Sequence, residues 1–593
     1  MKKPGFRWMS PDKIRALMNV AQGLEKADLV VTNGDLVNVY TGEIQRNYSV
    51  AVKHDRVAWV GTNPNHTIGP NTRVIDATGK TIIPGLIDSH THMMSVNYPP
   101  ETIKYAMVHG ATTIITETQE VAFPLGVRGA RYFMNYLMNQ PIKFFFTAAP
   151  LVTLGKDAEP HFFREKEMGW MLRHDRVVGL GETYWLPVIK GEQRIMDLFA
   201  QTLSAGKRLE GHAAGARNDK LVSYFASGVT SCHESTTMEE AIEKLRLGVN
   251  NMIREGQVRR ELPAIGKIQE LNIDFRLLSL VSDGASANIL LEKGYMDHIV
   301  EEAIRNGLKP VTAIQAATLN PAAHFGLDDF IGGIAPARFA DILVVPAIDH
   351  IRPDVVISNG KVVAESGTLL EEFPARKWPR SLMRSLHFPR RFTAADFAIP
   401  APISEGRVKA RIIDDVTELV TKELIAEVDV SGGLLKPDAG KDIIKVATIN
   451  RVQDPGKIAV GLLKGFGMTR GAFSSSGGWD CGSIVLVGAS DEDMALAANR
   501  LADLYGGAVV CAESKVLAEL PMPLGGVMST LSMVDLRTRQ REVQSAVAGL
   551  GCRFPRAHLA LDVLTSPAIP HLRMSDVGVF NVRDNRPVDV VVA

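Results

Sequence analysis

Between about residue 85 and residue 335 the chain alternates short β-rich runs with helix-patterned stretches, and nothing else in the sequence limits its fold as strongly. TTIITE, FFFTAA, VVGLGE, RLEGHA, VTSCHE and LLSLVSDG are each strand-sized, and most close on a polar or charged residue. Intervening stretches such as MEEAIEKLRLGVNNMIREG carry apolar residues at 3–4 spacing, with Glu early and Arg late, which predicts a helix. Strand then helix, repeated over about 250 residues, predicts an α/β fold, a (β/α)8 TIM-like barrel or another parallel sheet. In such a barrel the C-terminal ends of the strands carry the active site.

The alternation is bracketed. ADLVVTNGDLVNVYTG, YSVAVKHDRVAWVGT and TRVIDATGKTIIPGLID precede it, and FADILVVP and PDVVISNGKVV follow it with the same β-branched texture. One flanking β-sandwich built from both sides of the barrel is therefore expected, from residues 27–84 and 336–368. Residues 85–335 are expected to form the barrel, and 1–26 a helical extension. A Pro- and Arg-rich linker is expected over 369–405, and a C-terminal α/β domain over 406–593. A chain of 593 residues exceeds the ~250–300 at which single cores stop growing, so several domains are in order.

Charge and cysteine usage narrow the setting. Lys+Arg and Asp+Glu each total 66, and that balance makes no electrostatic case for nucleic acid or a membrane surface. Four cysteines, with no CxxC pair, suit a reducing compartment. The N-terminal stretch lacks the apolar segment of a signal peptide, and no run is long enough for a membrane helix. A cytoplasmic protein is expected, with a homodimer or homotetramer as the default assembly.

The chemistry lies at the strand ends. His90 and His92, in PGLIDSHTHMM, are two residues apart, so on a strand both imidazoles face one side and reach one ion. His212 in EGHAAG and His233-Glu234 in TSCHES each close a strand, as do Glu182 in GLGETYW and Asp283 in LVSDGAS. Any one of these alone fits a cap or surface residue. Together, mixed N and O donors at the mouth of one array suit one or two divalent ions: Zn, Mn or Fe.

PGLIDSHTH, GHAAG, CHES, SDG and NPAAHFGLDDFIGGIAPARFADILVV together resemble the amidohydrolase superfamily. Within it, SGVTSCHESTTMEEAIEKLRLGVNNMIREG, ATLNPAAHFGL and the C-terminal GFGMTRGAF, DEDM and LPMPLGGVMS resemble the bacterial adenine deaminases. The resemblance implies a metal-dependent hydrolase with His90, His92, Glu182, His212, His233 and Asp283 as ligands. It also implies Asp283, Glu234 and His233 as catalytic groups. Glu117, Gln119, Met93 and Ser286 are the expected substrate-binding residues. The implied reaction is hydrolytic deamination of a 6-aminopurine: water activated by the metal attacks C6, and ammonia leaves.

The chain departs from that family in its pocket. Met93-Met94-Ser95-Val96 stands where the family has Ile-Glu-Ser-Ser, and Glu117-Thr118-Gln119-Glu120 where it has Asp-Pro-His-Glu. Ser474–Trp479 replaces a histidine-bearing loop. This Gly/Ser loop either folds against the barrel mouth or remains a surface loop. The two methionines suggest an alternative substrate, an N6-substituted purine or another cyclic amide or amidine. A catalytically silent binding protein on the same fold is a third reading.

Overall fold

A computed structural model describes residue 7 and residues 9–154, 163–370, 377–569 and 571–592. Parts of the expected N-terminal extension (1–6 and 8) and of the expected linker (371–376) lie outside these. Helix Pro11–Gln22 begins where Ser10 accepts a hydrogen bond from the Lys13 N–H, with Pro11 at its first position. Its Leu17 and Val20 pack on Val30, Ala51 and Ala58.

The flanking β unit is one continuous sheet of nine strands. Residues before the barrel supply Leu29–Asn38, Glu43–Lys53, Arg56–Gly61, Arg73–Asp76 and Thr81–Pro84; residues after it supply Ile342–Val345, Val355–Ser358, Lys361–Glu365 and Thr368–Leu369. Thr81–Pro84 and Ile342–Val345 pair antiparallel, Ile83 opposite Leu343. The sheet curls over a shared core in which Val31 and Val50 meet Ile342 and Val344.

Eight parallel strands follow: β1 (Leu86–Thr91), β2 (Ala111–Thr116), β3 (Lys143–Ala148), β4 (Val177–Tyr184), β5 (Arg208–His212), β6 (Ser231–Cys232), β7 (Asn250–Arg254) and β8 (Leu278–Val281). β1 to β5 pair in order, as do β6 to β8. The seams are closed by Thr230 N–H to the Leu209 carbonyl, 3.0 Å, and Asp283 N–H to the His90 carbonyl, 3.1 Å. Inside, Ile87, Ile115, Phe145, Val178, Met252 and Val281, from six different strands, fill the barrel against Phe325 and Phe339.

One expectation is corrected here. The stretch 238–256 is not a single helix but helix Met238–Arg246 followed by β7. Gly248, at φ +76°, ends the helix, and the Asn-Asn-Met-Ile-Arg run then enters the barrel fully buried. Its apolar spacing mimicked a helix because β7 has neighbours on every side and needs no alternation.

After the barrel, residues 377–405 are anchored rather than loose. Trp378 packs on Phe133 and Tyr136, with ring centres 5.4 and 5.0 Å apart, and Leu386, Phe392 and Phe397 sit in a core with Leu486 and Met494. The C-terminal module is a nine-stranded sheet centred on Ile443–Ile449, Ile458–Lys464, Ile484–Gly488 and Ala472–Ser475, with helices Asp491–Asp503 and Met533–Gly549 packed on it. Among the described residues no helix is long and apolar enough to cross a membrane.

Candidate metal centre

Strand ends bring the donor residues together. His90 lies in β1 and His92 just beyond it, Glu182 in β4, His212 at the end of β5, His233 next to β6, and Asp283 two residues past β8. Three overlapping groups each have ligand atoms within 4.8 Å of one another: His90, Glu182 and His233; His90, His92 and Asp283; His212, His233 and Glu234. His233 Nε2 is 3.2 Å from Glu182 Oε2, and His92 Nε2 is 3.3 Å from Asp283 Oδ1. The His90 and His233 rings stack at 4.1 Å.

Surrounding residues fix these side chains. Asp283 has φ +49°, and this left-handed turn lets its N–H reach the His90 carbonyl. Gln119 Nε2 donates to Glu182 Oε1 at 2.9 Å, and the His92 Nδ1 edge pairs with Glu120. Glu117 accepts the Glu182 N–H at 3.2 Å and lies 3.8 Å from His90 Nδ1. Arg254, on β7 and 2% exposed, pairs through Nη1 with Glu234 and, at 3.2 Å, with Asp283. Its Nη2 is 2.6 Å from Glu261.

The electrostatics favour a cation. Burial works against ionising Glu182, Glu234 and Asp283, but His233 with His92, Arg254 with His212, and His90 with His92 respectively hold these carboxyls below their ordinary range. Burial likewise opposes charge on His90, His92 and His212, yet the carboxylates beside them raise all three. His233 goes the other way, down to about 4, through burial and its neighbour His90. Burial pushes Glu117 up to about 7. The buried atoms His90 Nε2, His212 Nδ1 and Glu117 Oε2 have no hydrogen-bond partner. Ionised carboxylates, a neutral His233 imidazole and unpartnered buried nitrogens on His90 and His212 in one cluster fit a divalent ion.

His92, Glu182, His212, His233 and Asp283 line a cavity of about 1090 Å³, counting its open mouth, while His90 lies behind that lining. Its far side belongs to the C-terminal module: Arg451, the loop Ser476–Gly482, Ser566 and Arg573 all line it. Arg451 Nη1 and Arg573 Nη1 are buried with no acceptor. The loop is tied to the barrel by Tyr184, whose hydroxyl donates to Asp480 Oδ2 at 2.7 Å, and by Ser566 on the same carboxylate. Burial raises the Asp480 carboxyl to about 6.

The expected substrate-binding residues divide. Gln119 lines the cavity, and Glu117 lies beneath Glu182, outside the lining. Met93 is 3% exposed and packs in the main apolar core with Met94, because the chain turns inward as soon as β1 ends. Ser286 caps helix Ala287–Glu292, accepting the Ile289 N–H at 3.4 Å, and does not line the cavity. Arg254, Tyr184, Trp479 and Asp480 escaped the sequence reading as individual residues. The Gly/Ser loop holding the last two was the available signal, and it lies against the barrel mouth.

Known proteins match along the whole chain. Residues 81–363 match the Amidohydrolase family, and residues 418–586 the Adenine deaminase C-terminal domain. An adenine deaminase of Moorella thermoacetica is 36% identical over 585 residues, covering 97% of this chain and 98% of that protein. One from Ruegeria pomeroyi is 33% identical, with 97% of each covered. Among solved structures, a β-aspartyl dipeptidase from Fervidobacterium islandicum AW-1 aligns with 58% of this chain and all of its own, at 18% identity and a TM-score of 0.47. On the strength of the full-length relatives, the chain belongs to the adenine deaminase family of amidohydrolases.

Proposed function

We propose that the protein hydrolyses adenine to hypoxanthine and ammonia in a divalent-metal site made of His90, His92, Glu182, His212, His233 and Asp283. One observation carries the reading: strand-end donors of an amidohydrolase barrel open on a cavity whose other wall is the region matching the adenine deaminase C-terminal domain. A divalent ion bound there supplies an activated water at neutral pH.

The chain's own groups do the rest. Asp283, held ionised, is placed to take a proton and pass it to the departing amine. Arg254 holds Asp283 and Glu234 in fixed positions, and Glu234 in turn orients His212, 3.2 Å away. Gln119 fixes Glu182.

Burial of Met93 and Met94 removes the support for an N6-alkyl pocket, since neither borders the cavity. The test is purified protein supplied with Mn, Fe or Zn and given adenine. One hypoxanthine and one ammonia per adenine are expected, lost on chelation and restored by metal. No product with any of the three metals would overturn the reading.

A further inference from the structure

The loop on the far side of the cavity holds the backbone of Trp479 in place. Trp479 donates its backbone N–H to the Asp562 carbonyl at 2.9 Å, and its own carbonyl accepts from Thr565 Oγ1 at 2.7 Å. The next residue, Asp480, is fastened by Tyr184 and Ser566. On the other side stands Gly478, where a Cβ would lie 3.0 Å from the Ser483 carbonyl oxygen. The backbone on both sides of the indole is therefore constrained.

The indole itself is not packed away. Trp479 is half-buried and lines the cavity. The imidazole of His92 lies beside it, tilted by 21° with 6.4 Å between ring centres. Centres of offset-stacked rings lie about 4.5–7 Å apart, so at 6.4 Å the imidazole is at most an offset neighbour of the indole and is not centred over it. Trp479 thus borders the cavity beside His92, one of the metal-ligand candidates, and not the interior of an apolar core.

We propose that Trp479 is a substrate-binding residue: its inner face is the stacking platform for the planar heterocycle, setting the ring's plane relative to His92 and Asp283. The C-terminal module then contributes directly to recognition. The identity of the heterocycle rests on the adenine reading above, but the platform does not. Stacking on an indole is tolerant of ring edges because every aromatic base presents a π face. Trp479 therefore selects for a flat ring, and discrimination among flat rings falls to the polar cavity groups.

Two measurements on the full-length, metal-loaded protein test this. Among the described tryptophans only Trp479 lines the cavity, so a flat ligand should quench a part of the fluorescence that Trp479→Phe removes. Titration with adenine, hypoxanthine, cytosine and a pterin should give such a Trp479-dependent quench with at least one of them. In kinetics, Trp479→Ala should raise the adenine KM on the order of 10-fold or more and lower kcat by less, while Trp479→Phe stays within roughly 3-fold of wild type. Quenching that survives in Trp479→Phe, or a Trp479→Ala KM within 2-fold of wild type, would overturn the platform. A wild type that binds a flat ring through Trp479 yet leaves adenine unchanged would overturn the adenine reading and leave the platform standing.

Discussion

Asp283 occupies the left-handed backbone region at φ +49°, a conformation that is strained for a residue with a side chain. What holds it there is the hydrogen bond to the His90 carbonyl and the Arg254 contact on its carboxylate. If that carboxylate shuttles the proton, Asp283→Asn should lower kcat by about 100-fold or more with little change in KM, because general acid–base catalysis acts in the transition state. Elemental analysis run beside the kinetics separates this from ligand loss: metal content falling in step with rate would reduce Asp283 to a ligand. Asp415, in the C-terminal module, offers a different residue-scale test. Burial raises its carboxyl from 3.8 to about 7 against the pull of Arg573 and Arg553. The folded state therefore holds this proton more tightly than the unfolded chain, and its contribution to stability declines as pH rises from about 4 to 7. The Tm advantage of Asp415→Asn over wild type should grow across that window and then level off; a constant difference would mean that the carboxyl ionises normally.

At the scale of elements, the site depends on how closely two strand ends can approach. A Cβ on Gly256, just past β7, would lie 1.7 Å from the Ser282 carbonyl oxygen, which is backbone and cannot swing away. Gly256→Ala should destabilise the protein by at least about 3 kcal/mol and displace Asp283, seen as a lowered Tm with reduced metal content. The same elements show what could be read in advance. His90, His92, Glu182, His212, His233 and Asp283 were legible because a strand's end is marked by its turn residues, and a lone polar group there stands out from an apolar run. Arg254 was not: it follows Asn-Asn-Met-Ile, which fits a helix face as well as a buried strand, and its carboxylate partners come from other segments of the chain. Met93 and Met94 misled for a related reason. Sequence position placed them beside the histidines, but the direction taken after β1 turned both into the core.

On the scale of the whole molecule, barrel and C-terminal module meet around one cavity, and few sequence signals announce contacts made across nearly 300 residues. Tyr184 and Asp480 form one such contact. Tyr184→Phe keeps the ring and removes only the hydroxyl, so the loop should lose part of its hold. The adenine KM should rise several-fold and Tm fall slightly, in line with about 1–3 kcal/mol for a buried polar group left without its partner. Unchanged kinetics would show that Ser566 secures the loop alone.

The pairing of Thr81–Pro84 with Ile342–Val345 also has a consequence in time. On the ribosome, Thr81–Pro84 can join Leu29–Asn38 at once, but its opposite edge waits for a partner some 250 residues downstream, roughly 10–50 s of synthesis. During that interval the nascent chain carries an open, apolar strand edge, the kind of surface that recruits a neighbouring chain. Pro84, which has no N–H to offer, stands at the end of that edge and shortens what a neighbouring polysome's chain could grip.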